Sequence, residues 1–291
     1  VAEVVSAHGR DPARALAVVR SGARVGGLTD SRTGPRGVRR AAPAGARVVV
    51  CELLGTDDEH VIEGTAAEIA ALSGWREPNV VVVDPGPVSD SAPSSVPDSA
   101  PWRAARSLPR GWALPDDDFS HRDSMVTKAE VRAWALARLG PAPGVLVWDV
   151  GSGSGSVGVE CARLGAAVVA VDRDPEQCTR TRDSAARHGV RVEVVQGAAP
   201  GALVDLPAPD AVFDGGVGLS VVEAVAAHRP PVVVVALAAL DRVAPVRACL
   251  LDAGYRVEGV QLAASRLTDL PGGSVRLAAT NPVVVLTGVL P

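Results

Sequence analysis

From residue 128 onward, short apolar runs alternate with stretches of helical length, and this alternation limits the possible folds more than any other feature of the chain. Strand-like runs fall at 146–150, 167–171, 191–195, 210–213 and 232–236, with helical stretches at 128–139, 157–164, 175–188, 219–227 and 241–253 before and between them. Strands separated by helices pair in parallel only through crossover connections, so the expected product is α/β: a Rossmann-like, mostly parallel seven-stranded sheet covered on both faces. Two final runs, 256–262 and 283–287, joined through 265–280, are expected to supply an antiparallel edge.

The first 85 residues have their own α/β pattern. Apolar runs at 4–5, 25–28, 48–51 and 79–83 alternate with Ala-rich helical stretches at 12–21 and 65–73. Four short strands without a glycine-rich nucleotide loop are little for an independent enzyme domain, so this part reads as half of one. The start at Val1, not Met, directly before an apolar run, fits a sequence taken from inside a larger polypeptide. Between the two parts, Pro, Ser and Asp dominate; such a segment builds no core and serves as a tether. The expected division is therefore 1–85, a linker at 86–111, and 112–291.

The run at 146–150 passes directly into Asp149-Val150-Gly151-Ser152-Gly153-Ser154-Gly155, followed by a helix. Glycines at a strand-to-helix turn let the backbone pass close beneath a ligand and aim helix N-terminal N–H groups at it, which implies a nucleotide-like cofactor. Gly153-Ser154-Gly155-Ser156-Val157-Gly158 also satisfies the dinucleotide pattern G-x-G-x-x-G, so NAD stays open at this point. Asp149 tilts the choice. A carboxylate there would repel a pyrophosphate but can accept from the ammonium of S-adenosylmethionine, which has no phosphate. Asp172, at the end of the next strand, is placed to bind ribose hydroxyls in either cofactor. Gly197 and Ala198 follow the third strand, where an adenine ring would lie, and Asp214-Gly215-Gly216 follow the fourth, facing the reacting group.

These residues add up to a family resemblance. Asp116-Asp117-Asp118-Phe119, Met125-Val126-Thr127-Lys128-Ala129-Glu130-Val131-Arg132, Trp148 through Val157, Glu160, Pro271-Gly272-Gly273 and Asn281-Pro282-Val283 resemble the decarboxylating precorrin methyltransferases. Val5-Ser6-Ala7-His8-Gly9-Arg10, Leu28-Thr29-Asp30 and Val50 through Glu59 are similar to the second half of a tetrapyrrole methylase domain, which is fused to that family in bifunctional precorrin-6Y enzymes. The resemblance implies methylation of precorrin-6Y with loss of carbon dioxide from an acetate side chain. S-adenosylmethionine would be the methyl donor and no metal would take part. It implies cofactor contacts from Thr127, Asp149, Gly151, Ser152, Gly153, Gly155, Asp172, Gly197, Ala198 and Gly215. Lys128, Arg132, Gly216 and Arg266 are the candidates to meet the carboxylate-rich tetrapyrrole, with Arg122 and Arg276 flanking; no catalytic acid or base is named.

Composition narrows the rivals. With 47% hydrophobic and 21% charged residues, the chain can bury sizeable cores. A net charge of -4 gives no electrostatic footprint for nucleic acid, which puts RNA and DNA substrates at a disadvantage. Cys51, Cys161, Cys178 and Cys249 lack zinc or disulfide spacing, and no run is long enough to span a bilayer, so a cytoplasmic enzyme is expected, a homo-oligomer by the family resemblance. The competing readings are a methyltransferase acting on RNA or another small molecule, an NAD-dependent oxidoreductase, and a non-catalytic association module.

Overall fold

The computed structural model describes residues 3–7, 11–29, 34–43, 45–86, 111–119 and 127–291. Nearly all of the expected linker lies outside the described residues, as do His8, Arg10, Asp30, Arg122, Met125 and Val126. Among the described residues, no helix is long and apolar enough to cross a membrane.

Among the described residues the first unit holds five strands, β1 (Glu3–Ser6), β2 (Val25–Thr29), β3 (Arg47–Glu52), β4 (His60–Thr65) and β5 (Asn79–Asp84), in the order β1-β2-β5-β3-β4. The valine run of β5 takes the centre, antiparallel to both neighbours. Three helices accompany the sheet: α1 (Ala13–Arg20), α2 (Gly34–Ala41) and α3 (Ala66–Ala71). β4 and α2 were not expected. β4 is an edge strand bearing His60, Glu63 and Gly64, so it shows no clean apolar alternation. α2 contains Gly34, Pro35 and Gly37, all poor helix formers, and Val38 and Ala41 anchor it in the core. At α3, Thr65 and Glu68 form a reciprocal capping box, a local signal that starts the helix.

The second unit follows the expected alternation closely. Its strands are β6 (Leu146–Val150), β7 (Ala167–Asp172), β8 (Glu193–Gln196), β9 (Ala211–Asp214), β10 (Val232–Leu237), β11 (Arg256–Leu262) and, after a hairpin of β12 (Ser265–Asp269) and β13 (Val275–Ala279), β14 (Val283–Val289). The seven-stranded sheet has the order β11-β14-β10-β9-β6-β7-β8. β8, β7, β6, β9 and β10 run parallel, whereas β14 is antiparallel to both β10 and β11. The antiparallel strand thus sits one place inside the edge. The expected connection at 265–280 is itself the hairpin, a separate two-stranded sheet whose Leu267, Val275 and Leu277 stay exposed.

α4 (Ala129–Leu139), α5 (Ser156–Arg163) and α6 (Pro175–Arg187) cover one face, and α7 (Leu219–Ala227) and α8 (Val243–Asp252) the other. β6 and β7 are buried on both faces, as continuous apolar runs in a doubly covered sheet require. Helix ends follow local chemistry. Asp174 accepts the Glu176 N–H ahead of Pro175 to start α6, and Gly140, at φ +60°, ends α4.

Candidate active site

The sheet order reverses between β6 and β9, where the connections leave to opposite faces. In open α/β sheets this crevice beyond the carboxyl ends of the strands is where ligands bind. The glycine turn between β6 and α5 sits there. Gly151, Gly153 and Gly155 all have φ between +55° and +71°, a region that side chains resist. At Gly151 a Cβ would also fall 2.4 Å from Cγ2 of Val217, whereas at Gly153 it would meet nothing within 4 Å, so the turn is packed behind and open at its tip. The Gly151 N–H donates to Val171 O at 2.8 Å, tying the turn to β7.

Three carboxylates end three adjacent strands around this turn. Asp172 is held by the Gly153 N–H on Oδ2 and the Asp174 N–H on Oδ1, each at 2.9 Å, so the tip of the glycine turn and the start of α6 are fixed by one side chain. Asp149 is 1% exposed and accepts the Gly158 N–H at 2.8 Å, satisfying one of the free donors at the start of α5. Burial pushes its carboxyl up to about 7; the Gly158 N–H opposes the rise and the Asp172 charge adds to it. Asp214, also buried, accepts the Gly216 and Val217 N–H groups on Oδ1, while Oδ2 has no partner among the described residues. Burial raises its pKa too, against the pull of those two N–H groups and of Arg242. Gly197, after β8, donates its N–H to Asp172 O at 2.9 Å, with Ala198 next to it. Gly215 lies so close to the turn that a Cβ would stand 2.9 Å from Gly151 O, and at Gly216 one would stand 2.7 Å from Ala236 O. The strand ends therefore gather Asp149, Gly151, Ser152, Gly153, Gly155, Asp172, Gly197, Ala198, Gly215 and Gly216 at one end of the sheet.

Thr127, Lys128, Arg132 and Arg266 form a second group around Asp116. Arg132, expected to meet substrate, is fully buried and cannot do so. Its Nε donates to Glu160 Oε1 at 2.5 Å, its Nη groups donate to the carbonyls of Thr127 and Leu114, and its guanidinium lies 4.6 Å from the centre of the Phe119 ring. A buried guanidinium needs such acceptors, and at 0% exposure none of its donors faces solvent. Glu160 in turn accepts the Ala113 and Leu114 N–H groups, so the pair fastens residues 113–114 and Thr127 to α4 and α5. Arg266 reaches from β12 to Glu130 and to Asp116 Oδ2, the latter at 2.8 Å, while keeping an exposed flank. Lys128 Nζ lies 3.8 Å from the same Asp116 oxygen. Arg276 is exposed on β13.

Sequence reasoning quoted Asp116 and Glu160 among the residues of the family resemblance but gave them no role, passed over Thr181 and missed the role of Asp214. Thr181 donates to Gly153 O at 3.0 Å and fills the space that a Cβ on Gly155 would need. The signal was present for Arg132: with Ala135, Leu136 and Leu139 it forms the i, i+3, i+4, i+7 stripe of a core-facing helix.

The model of the precorrin methyltransferase domain matches residues 117–282, more than half of the chain. The chain belongs to that family. Among its relatives, the precorrin-6Y C(5,15)-methyltransferase [decarboxylating] of Sinorhizobium sp is 36% identical over 225 residues, 75% of this chain and 50% of that protein. The chain thus spans half the length of that relative. A probable cobalt-precorrin-6B C(15)-methyltransferase (decarboxylating) of Pyrobaculum calidifontis is 35% identical over 184 residues, 60% of this chain and 94% of that protein. Of the solved structures, a precorrin-6y C5,15-methyltransferase from Geobacter metallireducens superposes with a TM-score of 0.57 at 31% identity, covering 60% of this chain and 97% of that one. The residues matched by the precorrin methyltransferase family, 117–282, take in the glycine turn and the strands from β6 to β13.

Proposed function

We propose that the chain is an S-adenosylmethionine-dependent C-methyltransferase of corrin biosynthesis that methylates precorrin-6Y with decarboxylation of an acetate side chain. The observation that carries this reading is the glycine turn flanked by Asp149, Asp172 and Asp214 at the sheet's switch point, in a member of this family. Three carboxylates make a poor seat for a pyrophosphate and a good one for a ligand bearing sulfonium and ammonium charges. The third glycine of the dinucleotide-like pattern, Gly158, has another reason to be there: its missing Cβ lets Asp149 approach α5.

In this reading Asp149, Gly151, Ser152, Gly153, Gly155, Asp172, Gly197, Ala198, Gly215 and Thr127 hold the cofactor, with Asp172 on the ribose. Lys128, Gly216 and Arg266 face the tetrapyrrole. When bound, S-adenosylmethionine supplies an electrophilic methyl group; an electron-rich ring carbon is the nucleophile, so the protein's work is to position it. The second unit corresponds to almost the whole length of the C(15)-methyltransferase relative, which supports assigning it methylation at carbon 15 and the decarboxylation. The Sinorhizobium match takes in a larger share of the chain than residues 112–291 make up, which supports reading the first unit as part of a tetrapyrrole methylase domain. The enzyme would act in the cytoplasm as a homo-oligomer, on a tetrapyrrole and not on nucleic acid.

Calorimetric titration with S-adenosylhomocysteine and, separately, with NADH tests the cofactor, on the wild type and on Asp172→Ala. Binding of the first ligand, weakened at least about tenfold in the variant (about 1.4 kcal/mol), is expected. Carbon dioxide release from precorrin-6Y on addition of S-adenosylmethionine then tests the substrate. Binding of NADH alone would overturn the reading.

A further inference from the structure

Within the second unit, α5 bridges β6 and β7, α6 bridges β7 and β8, and α7 bridges β9 and β10; between β8 and β9 the chain makes only the short 3-10 turn Gly201–Leu203. α5 and α6 lie on the same side as α4, so among the described residues the opposite face at the β7 end of the sheet receives from its own unit no α-helix but only the 3-10 turn, whose Leu203 is buried there. It is buried nonetheless. α1, from the first unit, packs against β7. Ala17 on α1 is 1% exposed and lies in one apolar cluster with Leu146 and Trp148 of β6 and Ala167, Val169 and Val171 of β7. Its neighbours Val18 and Val19 belong instead to the core of the first unit, so α1 is buried on two sides, one in each unit.

The contact extends beyond Ala17. A Cβ at Gly144, just before β6, would fall 2.6 Å from Cγ of Arg14, and one at Gly22, just after α1, would lie 3.5 Å from Cδ of Arg191, just before β8. At the Gly144 end the backbone therefore approaches α1 more closely than a side chain would allow. Arg20 on α1 and Arg191 both lose solvent on burial and both feel the charge of Glu193 at the start of β8.

We propose that α1 is the covering helix of the methyltransferase sheet, which makes the first unit a fixed brace for β6, β7 and β8 and not a tethered passenger. Those are the strands whose carboxyl ends carry Asp149, Asp172 and Gly197. Burial of apolar area on both faces is what holds a parallel strand in register, so removing the brace loosens the base on which the glycine turn rests.

Hydrogen exchange followed by mass spectrometry on the full chain without ligand tests this, so the outcome does not depend on the cofactor assignment. Ala17→Asp sets a charge in the contact, Ala17→Leu adds bulk there without charge, and Ala13→Asp puts the same carboxylate on an exposed position of α1 as a control. In Ala17→Asp, amides of 146–150 and 167–172 are expected to exchange about tenfold faster or more, with a smaller effect of the same sign in Ala17→Leu and none in the control. If α1 unfolds altogether in Ala17→Asp the expectation for 167–172 is the same, because the brace is then gone. Unchanged protection at 167–172 in both Ala17 variants, with or without loss at 25–29 and 79–84 in the first unit, would overturn the proposal.

Discussion

Replacing Arg132 by methionine keeps an unbranched apolar stem, though a shorter one, and removes every donor. Glu160, 1% exposed, would keep the N–H groups of Ala113 and Leu114 but lose its counter-ion, and the carbonyls of Leu114 and Thr127 would lose their guanidinium donors. Removing one partner of a buried pair costs about 3–5 kcal/mol, because the remaining charge stays desolvated. For a unit of this size each kcal/mol lowers the melting temperature by about 2–4 °C, so a fall on the order of 10 °C is expected. Scanning calorimetry of the full chain measures it. Arg132→Met combined with Glu160→Met should be less damaging than Arg132→Met alone, since no uncompensated charge is left. S-adenosylhomocysteine should bind Arg132→Met more weakly, as Thr127 and residues 113–114 lose their anchor. A loss below about 1 kcal/mol in the single variant, or a double variant worse than the single, would refute the account of a charge pair fastening residues 113–114 and Thr127 to the fold.

The remaining predictions concern the glycine turn. The Asp149 carboxyl titrates near 7 in the folded chain, above its ordinary value of 3.8, so between these values the folded state keeps a proton that the unfolded state releases. Stability should therefore fall as pH rises through this window and level off above it, and Asp149→Asn should flatten the slope in urea titrations at a series of pH values; matching profiles for the two proteins would count against it. In Gly158→Ala the new Cβ would lie 2.9 Å from Asp149 Oδ2 and 3.0 Å from Cγ1 of Val168, pressing α5 off the sheet. That is expected to cost about 1–3 kcal/mol by urea denaturation, whereas an unchanged midpoint would show that the position has room to give.

The second unit was legible because its central strands are buried on both faces and its helices follow their own periodicity, so local pattern and final environment agree, as at Leu146–Val150 and Leu219–Ala227. Where they disagree the sequence misled. α2 forms against its own composition because Val38 and Ala41 have a core to enter, and β12 and β13 pair without a core beneath them, so neither sends a patterned signal. The same holds for the site. Glycines and strand-end acids stand out in a sequence because the turn admits few alternatives. A buried salt bridge leaves a weaker mark: Arg132 looks like a surface cation unless its place in the apolar stripe of α4 is weighed above its charge. Asp214 was noticed only as the neighbour of two glycines, since nothing local announces that its second oxygen is buried without a partner.

The position of β14 between β10 and β11 bears on how the protein is made. β11 leaves the ribosome ahead of β14 but pairs with no other strand of the sheet, so for the time needed to synthesise the intervening residues both β11 and the flank of β10 present open backbone. Closure waits for a strand that emerges later and must slide between two already present, so this part of the sheet depends on a non-local pairing that forms late.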